Sequence, residues 1–292
     1  MEIGVGSAGA VVLAGGRSSR MGRPKAALEW HGSTLLHRTT GVLGRTVGGP
    51  VVVVKAPDQQ LPALPVGVEV VEDPVEGLGP MQGIAVGLAA LAGRAPAAFV
   101  CSTDMPFLHP AFVRRVLRGF GEPGAGADAA PDVVLPVARG FRQPLAAGYR
   151  TSLADLVAEL VAERNLKLGM LFERCRARQL DDAALLADRD MARFDPQLDS
   201  VVNVNAPDDY AEALRRPAPA VVVECFGALA SRGHRGPRTV AVATLGAAAG
   251  SVGLALDRHV VAALNGDQIT RDPQLPLVAG DTVAFLSADA GG

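Results

Sequence analysis

Short apolar runs alternate with segments of helical periodicity through the first two-thirds of the chain. Continuous apolar runs predict buried strands at 10–13, 51–54, 68–71 and 97–101. Apolar residues spaced three and four positions apart predict helices at 34–43, 83–91, 152–163 and 167–174. Buried strands separated by helices indicate an α/β fold in which a mostly parallel sheet is covered on both faces.

The pattern changes after residue 215. The segment 216–220 contains two prolines, which stop a helix, so it predicts a linker between a domain at 1–215 and a second domain at 221–292. Strand-like runs follow at 221–226, 260–264 and 282–286, with a weakly marked helix at 247–256. Asn265-Gly266 predicts a hairpin, because both turn positions favour positive φ. We expect a small α+β domain here.

Composition narrows the class of function. Hydrophobic residues make up 49% and charged residues 20% of the chain, and the formal net charge is −2. No basic excess favours nucleic acid or an anionic membrane as a partner, and 4% aromatic residues offer little surface for base stacking. The three cysteines lack metal-site spacing, and we find neither a secretory signal nor a spanning apolar run. We therefore expect a cytoplasmic protein.

Two glycine-rich segments flank the first predicted strand. Residues 4–9 match Gly-x-Gly-x-x-Gly, but a dinucleotide loop must follow a strand, so we expect a flexible N-terminus there. After the strand, Gly15 and Gly16 allow a ligand to approach the backbone closely, and successive amides can form an anion-binding nest. Arg20 and Lys25 can neutralise phosphate charge. Taken alone, this loop could equally be a solvated turn with surface cations.

The segment 13–25 resembles the loop of the MobA-like nucleotidyltransferases, which attach a nucleotide to molybdopterin or related acceptors. Further matches follow in the family's order across residues 10–214, at 72–73, 79–84, 101–107, 142–145 and 202–209. The resemblance implies a Rossmann-like three-layer sheet of the nucleotide-diphospho-sugar transferase type. It also implies transfer of GMP from GTP to molybdopterin, with release of pyrophosphate. Pro24 departs from the family, which often has Asp before the loop lysine, and Gln143 replaces a family His.

The resemblance also assigns roles to individual residues. Nucleotide contacts would come from Leu13, Ala14, Gly15, Gly16, Lys25, Asp73 and Asp104. Catalysis would rest on Arg20, Lys25 and Asp104. Asp73 is either such a contact or a turn residue before Pro74.

Two oxygen-bearing side chains are candidate Mg²⁺ ligands. Asp104 follows a strand at the ligand edge of the predicted sheet, where a carboxylate can hold Mg²⁺ beside phosphate oxygens. Its alternative role is to cap the helix after Pro110. Asn205 is either a second ligand or the cap of a helix that starts at Pro207.

The choice of base stays open at this stage. The Ala-Gly-Gly form of the loop favours GTP, but no Asn occurs in residues 51–59, where some guanylyltransferases carry one. A cytidylyltransferase acting on the same acceptor is therefore the alternative. An alternative of another class is a sulfur carrier attached to a catalytically silent nucleotide-binding module.

Residues 220–292 resemble the MoaD/ThiS sulfur carriers, which are small ubiquitin-like β-grasp proteins. The matches are 226–229, 264–266, 280–286 and the final Gly291-Gly292. In that family the terminal carboxylate is adenylated and converted to a thiocarboxylate. The resemblance implies two partners, the large subunit of molybdopterin synthase and an adenylating enzyme. Residues 287–290 depart from the family, and a Gly-Gly end alone is also typical of a frayed terminus.

Overall fold

The computed structural model describes residues 3–15, 24–75, 77–122, 130–232 and 236–288. The strands up to residue 181 are β1 Gly9–Leu13, β2 Glu29–Trp30, β3 Ser33–Thr34, β4 Val51–Lys55, β5 Glu69–Glu72, β6 Ala97–Ser102, β7 Val133–Ala138, β8 Phe141–Arg142, β9 Ala146–Arg150 and β10 Ala177–Asp181. The later strands are β11 Ala220–Cys225, β12 Arg238–Ala241, β13 Val260–Leu264, β14 Gln268–Thr270 and β15 Thr282–Ser287. The helices are α1 Leu35–Gly44, α2 Pro80–Leu91, α3 Pro110–Arg118, α4 Ala154–Ala162, α5 Leu168–Arg174, α6 Asp182–Leu186, α7 Arg189–Phe194, α8 Pro207–Arg215 and α9 Leu245–Ser251.

The larger sheet has the strand order β10-β7-β9-β6-β1-β4-β5, with β8 paired to β7. Strands β6, β1, β4 and β5 are parallel, whereas β9 runs antiparallel to both β6 and β7. Side chains of β1 enter a core on each face: Val12 packs in the cluster containing α1 and α3, and Val11 in the cluster containing α2 and α4. The mostly parallel sheet covered on both faces is thus confirmed.

Residues 3–8 differ from the sequence-based expectation. Ile3 is buried, and the amide of Gly48 donates to the carbonyl of Val5 at 3.1 Å. A Cβ atom on Gly48 would lie 2.2 Å from the oxygen of Gly6, so only glycine permits this contact. The prediction of a flexible N-terminus is therefore wrong for the described residues 3–8.

The smaller sheet has the order β12-β11-β15-β13-β14. Strands β11 and β15, the first and last of this sheet along the chain, pair in parallel, and the other pairs of the sheet are antiparallel. Helix α9 covers one face through Leu245 and Ala248, starts at the Thr244 cap, and ends before Gly253, whose φ is +67°. It is therefore shorter at its C-terminal end than predicted. Asn265 and Gly266 both have positive φ between β13 and β14, which confirms the hairpin.

A buried ion pair connects the end of α1 with the residue before β15 of the smaller sheet. Arg45, after the end of α1, donates from both terminal nitrogens to the two carboxylate oxygens of Asp281 at 2.9 Å each. The side chains are 6% and 5% exposed. Asp281 also accepts from the amide of Val278 and from the side chain of Asn265. Because every lone-pair direction has a donor, this carboxylate is held firmly in one position.

Helix α1 provides two further contacts to the same loop. Nη1 of Arg38 donates to the carbonyl of Leu277 at 3.1 Å. A Cβ atom on Gly41 would lie 2.6 Å from Cδ of Pro276, so the absent side chain lets the loop approach. We call the contact between residues 38–45 and residues 276–281 the seam.

Candidate active site

The candidate site begins where β1 ends. Strands β1 and β6 pair in register, with Leu13 opposite Ser102, so the segments that follow them emerge side by side. Ala14 is held by its amide, which donates to Val54, and by its carbonyl, which accepts from Nε2 of Gln59 at 2.9 Å. The two loops that leave β1 and β4 are thereby fastened together.

Gly15 follows Ala14 and is exposed. A Cβ atom there would lie 3.3 Å from the amide nitrogen of Ala56, which itself donates to Oε1 of Gln59. Sequence reasoning missed Gln59, because a lone glutamine in a loop carries no distinguishing signal. Gly16 and Arg20, both predicted site residues, lie outside the described residues.

Lys25 is the cation that the structure places at the site. It starts a short 3₁₀ turn after Pro24. Its Nζ donates to Oδ2 of Asp104 at 2.7 Å and to Oδ1 of Asn205 at 2.9 Å. Three residues predicted independently from three motifs thus meet at one point.

Asp104 is fixed on both its side chain and its backbone. The hydroxyl of Ser102 donates to Oδ1, and the carbonyl of Asp104 accepts from the amide of Val204 at 2.8 Å. Its side chain is 11% exposed. The alternative role as cap of the following helix is wrong, because His109 caps α3 through Nδ1.

Asn205 does not cap α8. The cap residue is Ala206, and the amides of Asn205 and Ala206 both donate to Oδ2 of Asp209 at 2.9 Å. This carboxylate supplies the acceptor that the helix start needs, which leaves the Asn205 side chain directed towards Lys25. The capping interpretation of Asn205 is therefore wrong.

The oxygens of Asp104 and Asn205 fit a divalent cation. Both contact a single positively charged atom, Nζ of Lys25. A carboxylate and an amide oxygen suit Mg²⁺, which usually completes its shell with water and phosphate oxygens. Within the described residues, no cluster of three or more His, Cys, Asp or Glu side chains could hold a metal by itself.

Helix α2 directs its N-terminus towards the same edge of the sheet. A Cβ atom would lie 3.0 Å from Leu13 at Gly83 and 2.3 Å from Val11 at Gly87, so these glycines let α2 pack closely along β1. Since Gly83 lies over the end of β1, the helix runs antiparallel to the strand. Its positive N-terminal end therefore lies near the loop after Leu13, where an anion would be stabilised.

Asp73 lies farther along this edge. It follows β5, two strands from β1, and its Oδ1 accepts from the amide of Val75 at 3.0 Å. That bond is the one expected of a turn residue before Pro74. None of its described hydrogen bonds reaches Lys25, Asp104 or Asn205.

Comparison with known proteins shows the family of the N-terminal part of the chain. The profile of the MobA-like NTP transferase domain matches residues 10–181. The protein of Mycobacterium tuberculosis H37Rv named "Probable molybdenum cofactor guanylyltransferase" is 42% identical over 166 residues, which are 56% of this chain and 78% of the relative.

Two solved structures share the fold. Molybdopterin-guanine dinucleotide biosynthesis protein A from Archaeoglobus fulgidus has a TM-score of 0.53 at 23% identity, covering 70% of this chain and 96% of its own. An M. tuberculosis H37Rv protein solved in complex with manganese has a TM-score of 0.50 at 20% identity, covering 71% and 98% respectively.

With these matches, the parallel sheet and the polar cluster at its carboxyl edge identify a nucleotidyltransferase. The family profile spans more than half of the chain. The chain belongs to the MobA-like NTP transferase domain family. None of the helices in the described segments is both long and apolar enough to cross a membrane.

Proposed function

We propose that the chain transfers GMP from GTP to molybdopterin in molybdenum cofactor biosynthesis. The observation that carries the proposal is the convergence of Lys25, Asp104 and Asn205 beside the loop after β1. The 42% identical relative named as a guanylyltransferase supports the choice of nucleotide and acceptor. We expect the reaction to take place in the cytoplasm.

The proposed reaction is an in-line displacement at the α-phosphorus of GTP. An oxygen of the molybdopterin phosphate forms the new bond to phosphorus, the bond to the β-phosphate oxygen breaks, and pyrophosphate leaves. Lys25 and Arg20 offset charge that builds on the phosphates, and the N-terminus of α2 adds its dipole. The nucleotide would be surrounded by Leu13, Ala14, Gly15 and Gly16, and Asp73 would contact it from the position after β5.

Asp104 and Asn205 would hold Mg²⁺ in this proposal. The ion would supply charge neutralisation at the phosphate oxygens. Lys25 touches both of these oxygens in the structure, so its ammonium would move onto the triphosphate when the ion is held.

A pyrophosphate-release assay tests the reaction. Release of pyrophosphate should require both GTP and molybdopterin, because the phosphate of molybdopterin is the group that attacks the α-phosphorus. Release with CTP at a higher kcat/KM than with GTP would favour the cytidylyltransferase alternative. GTP binding without any release would favour the silent nucleotide-binding module.

We also propose a sulfur-carrier β-grasp domain at 221–292, joined by a linker at 216–220 to a transferase domain at 1–215. The supporting observation is the smaller sheet, in which β11 and β15 pair in parallel at the centre and α9 crosses one face. The partners would be the large subunit of molybdopterin synthase and an adenylating enzyme. Gly291 and Gly292, the proposed sulfur-bearing end, lie outside the described residues.

Intact-protein mass spectrometry tests the carrier proposal. After incubation with an adenylating enzyme, ATP and a sulfur source, the chain should gain the mass of one oxygen-to-sulfur exchange. Deleting Gly292 shortens the reach of the terminal carboxylate, and adding one alanine after it brings a Cβ that obstructs a narrow channel. Both changes should prevent the gain and leave nucleotidyl transfer unchanged. An unmodified wild-type chain would reject the carrier proposal and leave the transferase proposal standing.

A further inference from the structure

A cavity of about 300 Å³ opens at the seam. Its lining includes Trp30, Arg38, Phe107, Phe194, Arg216 and Ala279. We call it the seam cavity. It is separate from the polar cluster of the candidate active site, because neither Lys25 nor Asp104 nor Asn205 belongs to its lining.

Arg38 gives the floor of the seam cavity a buried positive charge. The residue is 4% exposed. Its Nε donates to the carbonyl of Pro106 at 2.7 Å and its Nη1 to that of Leu277 at 3.1 Å. Within the described part of the chain, no hydrogen bond from Nη2 is found. Burial lowers the pKa of this guanidinium, and the charge of Arg45 adds to that effect.

Among the described residues, no carboxylate forms an ion pair with Arg38. Asp281 is close enough to raise the pKa of Arg38, but both of its oxygens are bound by Arg45. Two guanidinium groups therefore share one carboxylate, and among the described residues Arg38 is left without an ion-pair partner. An isolated buried charge is costly, and an anion beside it would remove that cost.

The two carboxylates that line the seam cavity already accept from other donors. Asp195 accepts from the amides of Asp199 at 2.6 Å and Ser200 at 3.1 Å. Asp199 forms ion pairs with Arg139 at 2.9 Å and Arg216 at 2.8 Å. Burial raises the pKa of Asp195, which disfavours its charged form, and both carboxylates bind donors other than Arg38.

Aromatic rings form the walls of the seam cavity. The chain has one Trp, two Tyr and nine Phe, and three of these twelve rings line this single cavity. Phe194 stacks on His109 with ring centroids 5.5 Å apart, and Arg216 lies over Phe107 at 4.4 Å. Phe107 and Phe194 are both half-buried, and each lines the cavity.

We propose that the seam cavity binds a small organic anion, a planar aromatic ring carrying one carboxylate or one phosphate group. The anionic group would lie against Arg38 and the ring against Phe107 and Phe194. Residues 217, 219 and 278–279 also line the cavity, and they lie outside the family match at 10–181. This site therefore exists only where the C-terminal segment packs on α1, and it does not depend on the transfer reaction.

The single tryptophan of the chain reports on the seam cavity directly. Trp30 contacts the Arg38 guanidinium at 4.4 Å and Phe107 at a centroid distance of 5.7 Å, so occupancy should alter its fluorescence. The full-length chain is titrated with benzoate, phenyl phosphate, benzamide and inorganic phosphate. We expect a saturable change with benzoate or phenyl phosphate at concentrations at least about tenfold below those needed for benzamide, because a charge-assisted hydrogen bond is gained.

The comparison of probes identifies the anionic group. A stronger response to benzoate identifies a carboxylate ligand, and a stronger response to phenyl phosphate identifies a phosphate ester. Equal binding of inorganic phosphate and phenyl phosphate would overturn the role of the ring. No saturable response to either aromatic anion, or an equal response to neutral benzamide, would overturn the proposal.

Variants locate the binding. Arg38→Gln should weaken the tighter probe by about tenfold or more, and Phe194→Leu should weaken it by a few-fold because the ring surface is lost. Arg94→Gln removes an exposed guanidinium that pairs with Glu69 and should change nothing. Since Arg38→Gln also loses seam hydrogen bonds and could unfold, Phe194→Leu decides the matter in that case. Wild-type binding in a folded Arg38→Gln or in Phe194→Leu would contradict the site.

Discussion

The ammonium group of Lys25 lies 2.7 Å from the carboxylate of Asp104, although 79 positions separate them in the chain. The contact exists because β1 and β6 are neighbours in the parallel sheet, so the segments following each strand emerge at one edge. Ligands of open parallel sheets bind at that edge. The pair is thus both a product of the fold and the centre of the proposed chemistry.

Replacing Lys25 tests its role in charge stabilisation. Lys25→Ala should lower turnover by about 100-fold or more, as loss of one preorganised transition-state donor does in other enzymes. Steady-state pyrophosphate release measures the effect, and circular dichroism checks the fold. Lys167→Ala, which removes an exposed lysine before α5, is the matched control and should retain full turnover. Wild-type turnover in Lys25→Ala would remove this residue from the mechanism.

Replacing Asp104 tests the metal site. Asp104→Asn keeps the side-chain shape but removes the negative charge, so binding of Mn²⁺ in the presence of GTP should weaken by at least about tenfold. Electron paramagnetic resonance of free Mn²⁺ gives the affinity without relying on activity. Asn205→Ala should have a smaller effect because only a neutral oxygen is lost. Asp208→Asn, an exposed site on α8, serves as control. Unchanged affinity in Asp104→Asn would place the metal elsewhere.

The buried half of the larger sheet was predictable because its strands are continuous apolar runs. Strands β1, β4 and β6 lie in the centre, where both faces are covered, and their sequences show it. Strands β7 and β9 were missed since Pro136 and Gly148 interrupt them, and both residues normally argue against a strand. The edge strand β10 is too polar to be recognised.

The candidate site was predictable to the extent that its residues stand beside strand ends in recognisable motifs. Lys25, Asp104 and Asn205, all singled out from the sequence, meet in the structure, but the sequence could not show that Asp209 would accept from the amides at the start of α8. The seam was missed entirely. A buried Arg on a helix resembles a solvated one in sequence, and the carboxylate bound by Arg45 is 236 positions away.

Removing the seam carboxylate should be strongly destabilising. Asp281→Ala leaves Arg45 buried without a partner, and breaking such a pair typically costs about 3–5 kcal/mol of unfolding free energy. Urea unfolding followed by circular dichroism measures the loss. Glu212→Ala breaks an exposed pair with Arg215 and should leave the unfolding midpoint almost unchanged. A small effect of Asp281→Ala would mean that the seam contributes little to stability.

The stability of the chain should fall in mild acid through His109. Burial lowers the pKa of His109, while its hydrogen bond to the carbonyl of Ala279 opposes that shift. Its Nδ1 accepts from the amide of Ala111, a role that protonation abolishes. The folded state therefore binds this proton less readily than the unfolded chain does. Its contribution is complete above the unfolded pKa of about 6.5 and is lost as the pH falls from there towards the lowered folded value.

Urea unfolding at several pH values between neutrality and pH 5 checks this dependence. His109→Asn retains a capping side chain but cannot titrate, so its unfolding free energy should vary less with pH than that of the wild type. His259→Asn, at an exposed histidine, should retain the wild-type dependence. Identical pH profiles for wild type and His109→Asn would exclude His109 as the cause.

The mass of the product formed in a competition between nucleotides tests the central claim most directly. The full-length chain is incubated with molybdopterin, Mg²⁺ and equal concentrations of GTP and CTP, and the acceptor is then analysed by mass spectrometry. Guanylyl transfer predicts an acceptor heavier by one GMP unit and the release of one pyrophosphate for each product formed. An acceptor that gains CMP instead, or one that gains neither nucleotide while GTP stays intact, would contradict the account.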